Sequence, residues 1–120
     1  MAGLAGNLIH LLLEARVRPD ALIILDDVLV ESATAALAQC GVRCPQDLLV
    51  VAHANFPNVT PSHVVASRVG FDVRQVLRTC LDVIDRRRRG EIVAPVTDVS
   101  PLFDDELVAE MTAEEIAHEA

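Results

Sequence analysis

Two carboxylates stand side by side at Asp26 and Asp27, directly after the unbroken apolar run Ala21–Leu25. An apolar run of that length is the mark of a strand buried on both faces of a parallel sheet. In open α/β sheets, ligands bind at the carboxyl ends of the strands. A carboxylate in that place can accept hydrogen bonds from ligand hydroxyls. It can equally cap the helix that follows, Val28 to Cys40, by accepting from its free N–H groups. A second apolar run, Leu48–Ala52, ends at His53, with Asn55 two residues further on. His53 can hydrogen-bond in a cleft or titrate near neutrality as an acid or base; it can also be a loop histidine with ordinary partners. If a small polar molecule binds, the expected contacts are Asp27 and Asp26, with His53 and Asn55 at the cleft edge.

Other chemistries lack their residues. All ten cations are arginine and none is lysine, which removes the Walker A lysine and any Schiff base. Paired aspartates at a strand end also occur in phospho-receiver domains, but those need a later aspartate and a lysine. The next strand here ends Val51-Ala-His-Ala-Asn55, so that reading fails. Ser32, Ser62, Ser67 and Ser100 sit in no nucleophile-elbow context, and His10, His63 and His118 show no ligand spacing. Cys40 and Cys44 are four apart without a second Cys or His pair, a poor zinc site. With Cys80 they make an odd count, which suits a reducing compartment and small buried hydrophobes. No catalytic residue, metal or cofactor is expected.

These residues belong to a chain of 120, within reach of one core. With 52% apolar and 23% charged residues it is globular rather than disordered. The net charge of −8 is uneven, because seven of the eighteen acids lie in 104–120, which has no arginine. The body is close to neutral and lacks a basic face for phosphate neutralisation. The three Phe, with no Trp or Tyr, offer no stacking platform for bases. The run Arg86–Arg89 ends a helix and complements its dipole. The chain by itself is therefore not expected to bind nucleic acid. No apolar run is long enough to span a bilayer, and no signal-like segment opens the sequence. A cytoplasmic protein is expected.

The elements that must position the carboxylates follow from periodicity. Residues 3–15 repeat apolar positions at helical spacing, ended ahead of Pro19. Strand 21–25, helix 28–40 stopped by Gly41, and strand 48–52 make a β-α-β unit with a parallel sheet. Residues 53–63 are turn-rich, and 64–69 forms a third strand. Asp72 with Gln75 forms a capping box for a helix whose apolar face is Val73, Val76, Leu77, Cys80, Leu81 and Ile84. Ile92–Val93 and Val96–Val99, flanking Pro95, are expected to form an edge strand, with a further capping box at Thr112 and Glu115 in an acidic helical tail, 104–120.

The segment Arg18-Pro-Asp-Ala-Leu-Ile-Ile-Leu-Asp-Asp27 resembles the "R-P-D-A-I-x-x-x-N-D" stretch of the lactose-repressor (LacI/GalR) family of transcriptional regulators. Gly41-Val-Arg-Cys-Pro-Gln-Asp-Leu-Leu-Val-Val51 is similar to that family's "G-x-x-V-P-x-D-V-x-V-V-G-F-D". Ser67 to Ile84 follows "T-T-V-x-Q-D-P-x-x-L-G-x-x-A-x-x-L-L", keeping Val69 and Asp72, and Pro95 fits the closing strand. The likeness runs over about 15–103 in order. It implies an α/β, Rossmann-like, type I periplasmic-binding-protein fold, of which 1–103 is the C-terminal portion and hence incomplete. It further implies an effector-sensing module that binds a small polar, sugar-like molecule and is not an enzyme.

By the same resemblance, strand 64–69 and helix 72–88 cross into another lobe; the alternative is one compact sheet, with strand 64–69 folded back beside 48–52. The helix after the Asp26-Asp27 strand lies near a dimer interface, with Leu29, Ala33, Ala36 and Leu37 as its contact residues. A homodimer or a swapped oligomer is therefore expected. Two departures bear on the ligand. Ala54 stands where the family has a carboxylate, and Gly70-Phe71 replaces its "R-Q". Alternatives are a ligand-free scaffold on the same fold and a solute-binding protein of a transport system.

Overall fold

A computed structural model describes residues 2–119. The chain runs α1 (Ala2–Glu14), β1 (Ala21–Ile24), a single 3-10 turn (Asp27–Leu29), α2 (Val30–Gln39), β2 (Leu49–Phe56), β3 (Ser67–Asp72), α3 (Val73–Arg88), β4 (Leu102–Phe103) and α4 (Asp104–Glu119). The four strands form one sheet in the order β1-β2-β3-β4. β1 to β3 are parallel, with Ile23 opposite Val51 and Asn55 opposite Phe71; β4 pairs antiparallel to β3.

Alternation along the strands gives the sheet two unlike faces. On one, Val50, Ala52 and Ile24 are buried under α1 and α2, together with Ala5, Ile9, Val30, Ala33, Ala36, Leu37 and Leu48. The alanines of α2 leave room for α1 to approach closely, and Cys40 Sγ lies 3.4 Å from His10 Nδ1 where the two helices meet. α2 ends at Gly41, whose φ of 70° lets the Val42 N–H reach back to the Leu37 carbonyl at 3.1 Å. The opposite face carries Ile23, Leu49, Val51, His53, Val69 and Phe71, and no described helix lies over it. Ile23 is 66% exposed. The apolar run at 21–25 thus belongs to a strand covered on one side only, a correction to the expectation of burial on both. Apolar side chains alone do not show whether a second layer exists to receive them.

The expected crossing into another lobe does not occur. β2 is eight residues long rather than five, and the segment 57–66 doubles back so that β3 starts beside Val51. Two bonds hold that return. The His63 N–H donates to Thr34 Oγ1 at 3.1 Å, and Arg68 Nη2 donates to the Thr60 carbonyl at 2.7 Å. The third strand is consequently Ser67–Asp72 rather than 64–69; Val64 and Ala66 instead pack from the loop onto the core. The edge strand expected at 92–93 and 96–99 is also absent, and pairing waits until Leu102–Phe103, past the second of two prolines, each lacking an N–H to donate.

The helix starts differ in how well they match expectation. Asp72 caps α3, accepting from the Arg74 N–H at 3.0 Å. Thr112 caps nothing. It lies inside α4 and donates back to the Val108 carbonyl at 2.9 Å, while the start of α4 is tied by Glu106 accepting from the Phe103 N–H at 2.7 Å. α4 is seated through Leu107, buried against Ala54 and Phe56.

Candidate functional site

β1 stops at Ile24, and the chain turns sharply over Asp26 because this carboxylate accepts from the Val28 N–H at 3.1 Å. Asp26 therefore serves as the cap of the 3-10 turn. Asp27, the first residue of that turn, is half-buried and points to the neighbouring strand. Its Oδ2 accepts from Asn55 Nδ2 at 2.9 Å. Two residues twenty-eight apart in sequence thus meet across the carboxyl ends of adjacent parallel strands. Asn55 supplies one amide donor to this bond and keeps a second N–H and its carbonyl for another partner. Asp27 keeps its other oxygen.

His53 does not end its strand. It sits mid-way along β2, half-buried, on the same face as Asn55 and opposite Val69. Of the four residues expected at the cleft, the structure bonds Asp27 to Asn55, leaves Asp26 beside them as a cap, and places His53 two residues back along the sheet. Ala54, between His53 and Asn55, points the other way and is 1% exposed, packed with Phe56 and Leu107.

Phe71 is the residue sequence reasoning missed. It is the register partner of Asn55, so its ring stands beside the amide on the open face. The signal was available as alternation: a side chain opposite Asn55 on the next strand shares its face. The strand boundary expected at 69 hid it. The arrangement is a carboxylate–amide pair at the rim of an apolar surface formed by Val51, Val69 and Phe71. Such a surface can receive a molecule with hydroxyls on one edge and C–H groups on one face.

Leu29, Ala33, Ala36 and Leu37, expected at an interface between copies, are placed in or against the chain's own core, with Ala33, Ala36 and Leu37 buried. The exposed residues of α2 are Glu31, Ala38 and Gln39. Among the described residues, no three His, Cys, Asp or Glu side chains converge as a metal site would. No described helix is long and apolar enough to cross a membrane. Burial pushes the Cys44 thiol up.

A search of curated proteins returned no match for this chain. Residues 2–102, from α1 to the first residue of β4 and leaving out α4, match the family model of the periplasmic binding protein-like domain. By that match, and by its mostly parallel α/β sheet, the chain belongs to the periplasmic binding protein-like domain family.

Proposed function

We propose that this chain is the effector-sensing portion of a cytoplasmic LacI-type transcriptional regulator, binding a small polar ligand such as a sugar without turning it over. The observation that carries the reading is the 2.9 Å bond between Asp27 and Asn55 at the carboxyl ends of β1 and β2, beside Phe71. Asp27 and Asn55 would take hydroxyls of the ligand, and Phe71 its C–H face. Asp26 would shape the turn that presents Asp27, and His53 would flank the ligand on the open sheet face. DNA contacts would belong to another part of the regulator.

The test is a thermal-shift screen of monosaccharides and nucleosides, followed by calorimetry on Asp27→Ala with any hit. Removing a charge-assisted hydrogen bond costs roughly 1.5–3 kcal/mol, about ten- to a hundredfold in affinity. Unchanged affinity would take Asp27 out of the site. A second reading, a ligand-free interaction module, is favoured by one feature: Ala54 packs in the core where related proteins carry a carboxylate. A screen with no stabilising sugar or nucleoside would support it.

A further inference from the structure

The three cysteines, expected as small buried hydrophobes, sit in different environments. Cys44 is buried, whereas Cys40 and Cys80 are exposed. Among the described residues, Cys40 is the one that hydrogen-bonds an imidazole, its Sγ lying 3.4 Å from His10 Nδ1.

The packing of two helices builds this pair. α1 and α2 lie side by side, so close that a Cβ built on Gly6 would stand 4.0 Å from the Ala36 Cβ. One turn further along each helix come His10 and Cys40. The approach that Gly6 and Ala36 permit thus brings together a ring and a thiol thirty residues apart in sequence. Among the described residues it is the one side-chain hydrogen bond between α1 and α2.

Both side chains are exposed, so a reagent in solution can reach the sulfur. Cys40 is the C-cap of α2. The negative end of a helix dipole favours an imidazolium and gives a thiolate no help. A base is therefore needed at the moment the sulfur attacks, and His10 Nδ1 stands where that base must be.

We propose that Cys40 is a site of reversible S-thiolation, with His10 as its base and a small disulfide as its reagent. The Cys40 sulfur attacks one sulfur of the disulfide while its proton passes to His10 Nδ1. The new S–S bond forms as the old one breaks, and the leaving sulfur takes the proton back from the imidazolium. Cys40 is oxidised to the disulfide level and the leaving sulfur is reduced to a thiol, so the step balances with no further oxidant. Excess thiol reverses it, and occupancy follows the surrounding thiol–disulfide ratio. The adduct parts Cys40 from His10 and leaves α1 and α2 joined by apolar contact alone.

The experiment exposes the full chain to glutathione disulfide and follows each cysteine by peptide mapping after a quench. Cleavage after Arg43 separates Cys40 from Cys44. Cys80, whose groove on α3 holds no histidine, is the internal standard. Cys40 should be modified, and excess thiol should release the adduct. His10→Gln keeps a hydrogen-bonding side chain but cannot take the proton, so it should slow Cys40 at least about tenfold. Cys80 should keep its rate, and His10→Ala should behave as His10→Gln does. Circular dichroism checks that both variants keep the wild-type fold. A Cys40 that stays unmodified overturns the proposal. So does a Cys40 rate that His10→Gln leaves unchanged, which would make the contact one of packing alone, and so does an equal slowing of Cys40 and Cys80.

Discussion

Both halves of this sheet carry helices with an apolar face, and they come to different ends. Around β1 and β2, the apolar faces of α1 and α2 meet each other and the strands, and the side chains between them are out of water. Around β3, a helix with an apolar stripe but seven charged residues among its sixteen follows a strand of the same sheet; none of the residues of α3 is buried, and the small second cluster is Ala54, Phe56 and Leu107 with Leu102. Hydrophobic patterning is therefore necessary for a core and not sufficient for one. What differs is the facing layer. α2 has α1 across from it, close because the residues between are alanines; α3 has only an irregular, proline-containing segment along one flank.

The largest expected effect breaks this comparison if it fails. Leu37 in α2 is 1% exposed, and Leu37→Ala should cost about 2–5 kcal/mol through lost burial and the cavity left behind. Leu77→Ala, on the open stripe, should stay within about 0.5 kcal/mol for the isolated chain. Urea unfolding of each variant measures both. Comparable losses would mean that α3 is covered in the monomer.

The same contrast explains what could be read in advance. α1, β1, α2 and the start of β2 were legible because α1 and α2 carry helical periods closed by Pro19 and Gly41, and the strands open as short apolar runs. Asp27 and Asn55 could each be singled out because both come after apolar runs of strand length, but no local pattern showed that they bond to each other. What was not legible depended on partners remote in sequence. Whether Ile23 faces a helix or solvent is decided by what lies over the sheet, and no local pattern records that. Whether 64–69 or 67–72 forms the strand is decided by how far β2 extends, since β3 takes its register from β2 through pairs such as Val51 with Ser67. Phe71 was missed for that reason, and so was its place beside Asn55.

A second prediction falls where the halves are joined. Gly70 of β3 is the register partner of Ala54, and a Cβ built on it would lie 1.7 Å from the Ala54 carbonyl oxygen. Backbone cannot swing aside as a flexible side chain can, so Gly70→Ala must push β3 from β2. The expected cost is about 1–3 kcal/mol, the usual range for overpacking. It should appear in the same urea transition and also as loss of β4, which hangs on β3 alone. An unchanged midpoint would show that the two strands separate freely at that point.

A third, smaller effect concerns the loop that returns the chain to β3. Thr34 is fully buried in α2, donates to the Val30 carbonyl at 2.7 Å and accepts from the His63 N–H at 3.1 Å. Thr34→Val keeps the shape and removes the acceptor, which should cost about 1 kcal/mol. Amide exchange at His63 should quicken while the core amides of β2 keep their protection. Equal acceleration in both would mean that loop and core open as one unit.

The smallest effect sharpens the comparison through pH. On the covered half, Asp47 is held below the usual carboxylate range by the Arg43 guanidinium and the Arg43 N–H. On the open half, Asp72 is held below it by Arg74, whose Nη2 lies 2.8 Å away and whose backbone N–H the carboxylate also caps. A carboxyl that is more acidic in the folded state adds stability above its unfolded pKa, about 3.9. That stability is lost as pH falls through the lower, folded value. Both pairs are solvent-exposed on the arginine side, so each contributes little to the global midpoint. Their local consequences should differ. When Asp47 takes a proton, the neighbouring helix α2 is still held by burial. When Asp72 does, α3 loses its cap and has only the packing along one flank to fall back on. Helical ellipticity between pH 5 and pH 2 should therefore fall less steeply in Asp72→Asn, which keeps a capping side chain that does not titrate, than in the wild type. Asp47→Asn should leave the slope nearly as it was. Equal slopes in the two variants would show that α3 depends on its cap no more than α2 depends on the Asp47 pair.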